Sequence, residues 1–192
     1  MRNALTRFLH IALLLALTAC KSSDAPAAAT PHEDTKVPLR VSILNYSDDY
    51  LDAVYVNESW AGSMSAHAGG GKVAGSAEVP HKWDPNYKLT IRWRDESLYN
   101  KDHHALYKRE VATEPYQQYR PGGVTMLWVA FFPNGVLRLF PTRVDPGHED
   151  FPEGLLEPAF ECRRQFPGDP KCFPPTSSWV ENPSQGKEEV KP

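Results

Sequence analysis

Thr125 to Phe132 (Thr-Met-Leu-Trp-Val-Ala-Phe-Phe) is continuously apolar after its first residue, and Pro133-Asn134-Gly135 follows it. No other stretch constrains the fold as much. A short apolar run rich in aromatic and β-branched residues, closed by turn residues, is expected of a central strand. Asn-Gly tolerates the positive φ that a tight hairpin requires. Val136 to Phe140 then alternates apolar with polar and reads as the returning strand, with Arg138 on its polar face. Other segments carry the same period of two. Val41 and Ile43 alternate with polar neighbours, Leu51 to Val56 follows the turn-like Ser47-Asp48-Asp49, and Leu89-Thr-Ile-Arg-Trp93 alternates strictly. Tyr107 to Ala112 is a further strand candidate. Only Leu155 to Gln165 reads as a short helix, with Pro158 in its first turn, where a missing N–H costs nothing. Eighteen Pro and 12 Gly imply many turns and disfavour a helical bundle. The expected fold is mainly β: one antiparallel, sandwich-like domain over residues 37–173, ending in a short, helix-compatible segment.

The first twenty residues have a different logic. Arg2 and Arg7 precede the apolar run Phe8 to Leu17, and Leu17-Thr18-Ala19-Cys20 closes it. Roughly ten apolar residues are too few to span a bilayer, which needs about 20. The pattern is that of a secretion signal over residues 1–19. Small residues before a cysteine match a lipobox, with the Cys20 thiol as acceptor of a diacylglyceryl group. The expectation is a lipoprotein whose mature chain begins at Cys20 and faces the periplasm. Lys21 follows the cysteine in place of the aspartate that retains such proteins at the inner membrane, which favours the outer membrane. Removing the leader takes two Arg and no acid, so 21 Lys+Arg become 19 against 24 Asp+Glu, a formal charge of −5. That balance offers no basic footprint for nucleic acid.

Residues 20–36 hold Ser, Ala, Pro and Thr with scattered charge and read as a tether; residues 174–192 read as a disordered polar tail. One domain between them is large enough to bury a core. Two cysteines remain, Cys162 and Cys172, on either side of Pro167-Gly168-Asp169-Pro170. An oxidising compartment makes a disulfide the default. A metal site is the alternative, although no second Cys pair or His pair stands at ligand spacing nearby.

An ordered series of short motifs runs through the domain. It begins with Asn45-Tyr46, Val56-Asn57-Glu58-Ser59-Trp60-Ala61-Gly62 and Gly69-Gly70-Gly71. Val79-Pro80-His81-Lys82-Trp83-Asp84-Pro85, Ile91-Arg92-Trp93, Phe131-Phe132-Pro133-Asn134-Gly135 and Pro146-Gly147-His148 follow. The series resembles the bacterial lipoprotein family described as domain of unknown function 3304, over roughly Leu39 to Phe151. A Cys pair common after the glycine run in that family is replaced here by Gly75-Ser76, which removes any thiol role at that place. Members of the family tend to occur beside lipase effectors of the type VI secretion system. The resemblance therefore implies an immunity lipoprotein that binds a cognate phospholipase effector in the periplasm and neutralises it. The alternative is a structural or envelope-assembly lipoprotein without a toxin partner, and a lipase gene alongside would separate the two.

The residues themselves offer little catalytic machinery. Gly62-Ser63-Met64-Ser65-Ala66 lacks the second glycine of a nucleophile elbow. Gly69-Gly70-Gly71-Lys72 lacks the rest of a phosphate-binding loop; a flexible loop, or backbone packed against Trp60 or Trp83, is the expectation. Asp102-His103-His104 reads as an exposed loop and His148-Glu149-Asp150 as a turn. No enzyme activity, cofactor or metal is expected. Trp93 and Trp128 lie in strand patterns and read as core. Trp60 and Trp83 stand near turns, where they either contact a partner or cap the core, because Trp dominates interface energetics. Asp48, Asp49 and Asp52 crowd one loop, either as a solvated loop or as a contact for a basic partner surface.

Overall fold

Strand β1 (Lys36–Asn45) is ten residues long, enough to serve several neighbours. A computed structural model describes residues 36–71, 73–118 and 126–172. Cys20 with its leader, the tether up to Thr35, Lys72, Thr125 and the segment from Phe173 onward lie outside the described residues. The first half of β1 pairs antiparallel with β5 (Ser76–Pro80), and its last two residues pair with the short β4 (Ala68–Gly69). Along its other edge lies β8 (Met126–Phe132), followed by β9 (Val136–Thr142). The second sheet runs in the order β3 (Ser59–Met64), β2 (Leu51–Val56), β6 (Lys88–Asp95), β7 (Tyr107–Ala112). The described chain is mainly β, with two sheets and nine strands, as the patterning predicts.

One pairing departs from an all-antiparallel arrangement. β1 and β8 are parallel, from Arg40↔Met126 to Asn45↔Phe131. Between them the chain passes through the second sheet twice, as β2–β3 and as β6–β7, and re-enters along the open edge of β1 in the same direction.

Two apolar layers hold the unit together. Between the sheets lie Leu39, Val41, Ile43, Val54, Leu89, Ile91, Trp93, Leu127, Val129, Phe131 and Leu139. The far face of the first sheet buries Leu44, Tyr46, Met126, Trp128, Ala130 and Phe140 beneath Phe151, with Val144 and Leu155 packed at the margin. Strand β8 is thus covered on both faces, which is why its sequence is apolar without alternation. The hairpin turn has Asn134 at φ 62° and Gly135 at φ 68°, the left-handed pair that Asn-Gly accommodates.

Beyond β9 the chain covers the second apolar layer. Helix α2 (Pro158–Gln165) starts with Pro158 at its first position, later than Leu155 because Leu155 is still extended at ψ 132°. Cys162 and Cys172 are disulfide-bonded, closing this segment as expected. The Tyr46 hydroxyl donates to the Leu156 carbonyl at 2.8 Å and ties the segment to β1.

Two local expectations are corrected. Glu96–Lys101 forms a short helix, α1, which alternation does not reveal; Asp95 caps it, its carboxylate accepting from the Leu98 N–H at 2.8 Å. Of the glycine run, Gly69 packs against β1 rather than Trp60 or Trp83, while a Cβ on Gly71 would meet open space. A Cβ on Gly69, at φ +142°, would stand 2.3 Å from the Ile43 carbonyl oxygen.

Candidate interaction surface

The two sheets differ in what covers them. The β8–β9 side of the first sheet is buried on both faces, whereas the outer face of the second meets solvent along all four strands. Register places a row of side chains across it: Trp60 on β3 pairs with Tyr55 on β2, Tyr55 with Arg92 on β6, and Arg92 with Lys108 on β7. Alternation dictates this, because Val54, Val56, Ile91 and Trp93 point inward and their neighbours outward. Trp60 is 57% exposed, the most exposed large apolar side chain among the described residues.

The polar groups of this face are held in fixed positions. The Arg92 guanidinium lies 5.2 Å over the Tyr55 ring and donates to Glu58 at 2.8 Å. Two residues along β6, Arg94 lies 5.0 Å over the Tyr99 ring of α1 and donates to Asp52 at 2.6 and 2.9 Å. Each guanidinium is thus set between an aromatic ring and a carboxylate, the planar geometry arginine favours. The Glu58 pair is solvated and adds little stability of its own. Its effect is to orient the side chain.

The other sequence candidates are dispersed. Trp83 is half-buried and donates its indole N–H to the Thr113 carbonyl at 3.1 Å, so it caps the sandwich edge. The three acids do not form one patch. Asp52 is paired with Arg94, Asp48 turns to His67 at 2.7 Å and Lys171 at 3.3 Å, and Asp49 is exposed. Asp49 borders a cleft of about 350 Å³ at the open end of the sandwich, where Trp93, Tyr107 and Phe131 meet. Arg109 spans that cleft, 5.6 Å over the Trp93 ring and 2.7 Å from the Gly135 carbonyl. Cys162 and Cys172 are joined to each other and offer no free thiol.

His67 escaped the sequence reading because it is a lone histidine between small residues. It is 4% exposed, at φ 49°, and sits at a cavity of about 260 Å³ lined also by Tyr46, Phe132, Leu155 and Cys162. Its hydrogen bond is the main reason the Asp48 carboxyl stays below the usual range; Lys171 adds to this against a burial penalty. Burial pushes the Tyr46 phenol far above its usual range, with Glu161 and Glu157 adding to the effect. Burial works to raise Glu161, but hydrogen bonds from Arg164 and Gln165 outweigh it and hold the carboxyl low. Among the described residues no group of three or more His, Cys, Asp or Glu is placed to hold a metal ion.

A family model described as "Protein of unknown function (DUF3304)" matches residues 44–139. The chain belongs to that family. The matched span runs from the end of β1 into β9, so the DUF3304 region contains the whole second sheet and its outer face. The disulfide-closed segment that covers the first sheet follows the matched span. No curated protein and no solved structure matches the chain.

Proposed function

We propose that this protein is an immunity lipoprotein, anchored through Cys20 to the periplasmic face of the outer membrane. It binds a cognate type VI secretion phospholipase effector and neutralises it. The observation that carries a binding role is the solvated outer face of the second sheet, where Trp60, Tyr55 and Arg92 stand in register on a rigid scaffold. Trp, Tyr and Arg are the residues that dominate binding energy at protein interfaces. The anchor rests on the leader and the Leu17-Thr18-Ala19-Cys20 pattern, and the class of effector rests on the family resemblance. An inhibitor that acts one-to-one benefits from the anchor, because the lipid holds it at the surface where a phospholipase works.

The test is capture of the lipase encoded beside this gene by the mature, unlipidated chain, residues 21–192, read out with a phospholipase assay. Removing the leader leaves every residue of both apolar layers in place. One-to-one binding with loss of lipase activity is expected. Absence of binding at micromolar concentration, with lipase activity unchanged, overturns the immunity reading and leaves an envelope-assembly role.

A further inference from the structure

Four basic side chains, Lys88, Arg92, Arg94 and Lys108, share the outer face of the second sheet with three acidic ones, Asp52, Glu58 and Glu110. The mature chain as a whole, with 19 Lys+Arg against 24 Asp+Glu, is acidic. This face therefore stands out from its surroundings as mildly basic. Asp52 and Glu58 are the carboxylates that hold Arg94 and Arg92, which leaves exposed Lys88 and Lys108 against exposed Glu110, with Lys108 on the edge strand β7 at the end of the Trp60 row.

We infer that this face, centred on Trp60 and Lys108, is the contact surface for a protein whose complementary patch has an apolar socket ringed by carboxylates. The inference rests on the immunity reading and specifies the effector-binding surface within it. A large indole standing out from a strand already ordered by its neighbours loses little conformational freedom when it enters a socket. Basic charge beside it raises the association rate with an acidic surface and sets orientation. A protein partner fits these residues better than an anionic lipid leaflet. Each basic side chain near a leaflet contributes only about 1 kcal/mol, and with Arg92 and Arg94 engaged within the chain this face has too few further cations to hold one. The basic character also assigns no partner contact to Asp48 and Asp52, whose carboxylates are held by His67, Lys171 and Arg94.

The experiment compares four forms of the mature chain against the neighbouring lipase: wild type, Trp60→Ala, Lys108→Glu and Phe160→Ala. Phe160 is 55% exposed on α2, in the segment that covers the other sheet, and serves as the control. Circular dichroism confirms that each variant is folded. Trp60→Ala is expected to weaken binding by at least about 30-fold, as for a central hot-spot residue. Lys108→Glu should slow association several-fold at low salt, with the difference shrinking as salt is added. Phe160→Ala should bind like wild type. Wild-type inhibition with undiminished binding by Trp60→Ala and Lys108→Glu overturns this surface and leaves the immunity reading standing. Failure of the wild type to bind overturns both. Trp60-dependent co-sedimentation of the unlipidated chain with phosphatidylglycerol vesicles, at unchanged lipase affinity, makes the face a membrane contact and also overturns the inference.

Discussion

Gly69 carries the tightest backbone approach among the described glycines, with its Cβ position 2.3 Å from the Ile43 oxygen and 2.9 Å from the Leu44 Cα. Neither obstacle is a movable side chain tip, so β4 and β1 would have to separate to admit a methyl group. Gly69→Ala is therefore expected to cost about 2 kcal/mol or more, seen as a lower denaturant midpoint at unchanged slope. Gly71 has nothing within 4 Å of its Cβ position, so Gly71→Ala is expected to change stability by no more than about 0.5 kcal/mol. Equal effects from the two substitutions would contradict this account of the run. Asp48 supports a second prediction at the same scale. Its folded pKa is depressed, so its contribution is present above the unfolded carboxyl pKa and disappears as pH falls through the folded value. Its side chain is 66% exposed, which limits the contribution to about 1 kcal/mol or less. Asp48→Asn should be slightly less stable than wild type at pH 6 and indistinguishable from it once pH is below the folded pKa. A gap that widens on acidification would reverse the sign of the argument.

At the scale of elements, the strands were legible in the sequence because most have one wet face, so period two marks them directly. Strand β6 shows this best, with Leu89, Ile91 and Trp93 inside and Arg92 and Arg94 outside. The β8–β9 hairpin was legible for a different reason, its Asn-Gly turn. Helix α1 was not, because it is six residues long and buries nothing, leaving the Asp95 cap and the end charges Glu96 and Lys101 as weak signals. The candidate surface was half legible. Trp60 stood out by its residue type, but Tyr55, Arg92 and Lys108 join it only through cross-strand register, which no single segment encodes. Asp48 and Asp52, neighbours in sequence, are held by His67, Lys171 and Arg94, all remote along the chain, which no local pattern encodes. The C-terminal segment makes a separable prediction. Its disulfide closes a loop with a sequence separation of 10, and replacing both Cys162 and Cys172 by Ser should cost about 3 kcal/mol. The loss should fall on α2 and the layer around Phe151. Hydrogen exchange is expected to speed up in Pro158–Gln165 and to stay unchanged in β6 and β7, whose pairing does not involve that segment. Equal loss of protection in all of them would mean that the second apolar layer and the sandwich unfold as one unit.

For the whole molecule, the domain and the anchor make separate demands on the sequence. Both apolar layers, the disulfide and the outer face of the second sheet lie between Lys36 and Cys172. Cys20 lies well before them in the sequence. If Cys20 carries the lipid, Cys20→Ser should leave folding and lipase inhibition in solution unchanged while releasing the chain from the membrane. Each buried CH₂ of an acyl chain contributes about 0.8 kcal/mol, and several chains together make release negligible on a cellular timescale. Fractionation should therefore find the wild type with outer membranes and Cys20→Ser with soluble periplasmic protein, without incorporation of labelled fatty acid. Protection of the cell should weaken in step, because an inhibitor free in the periplasm meets the lipase at the membrane less often than one held there. Raising expression of Cys20→Ser should restore protection, since the deficit is one of local concentration and not of affinity. A Cys20→Ser protein that still fractionates with membranes would refute the lipobox reading. One that leaves the membrane yet protects fully at native expression would show that anchoring has no part in immunity.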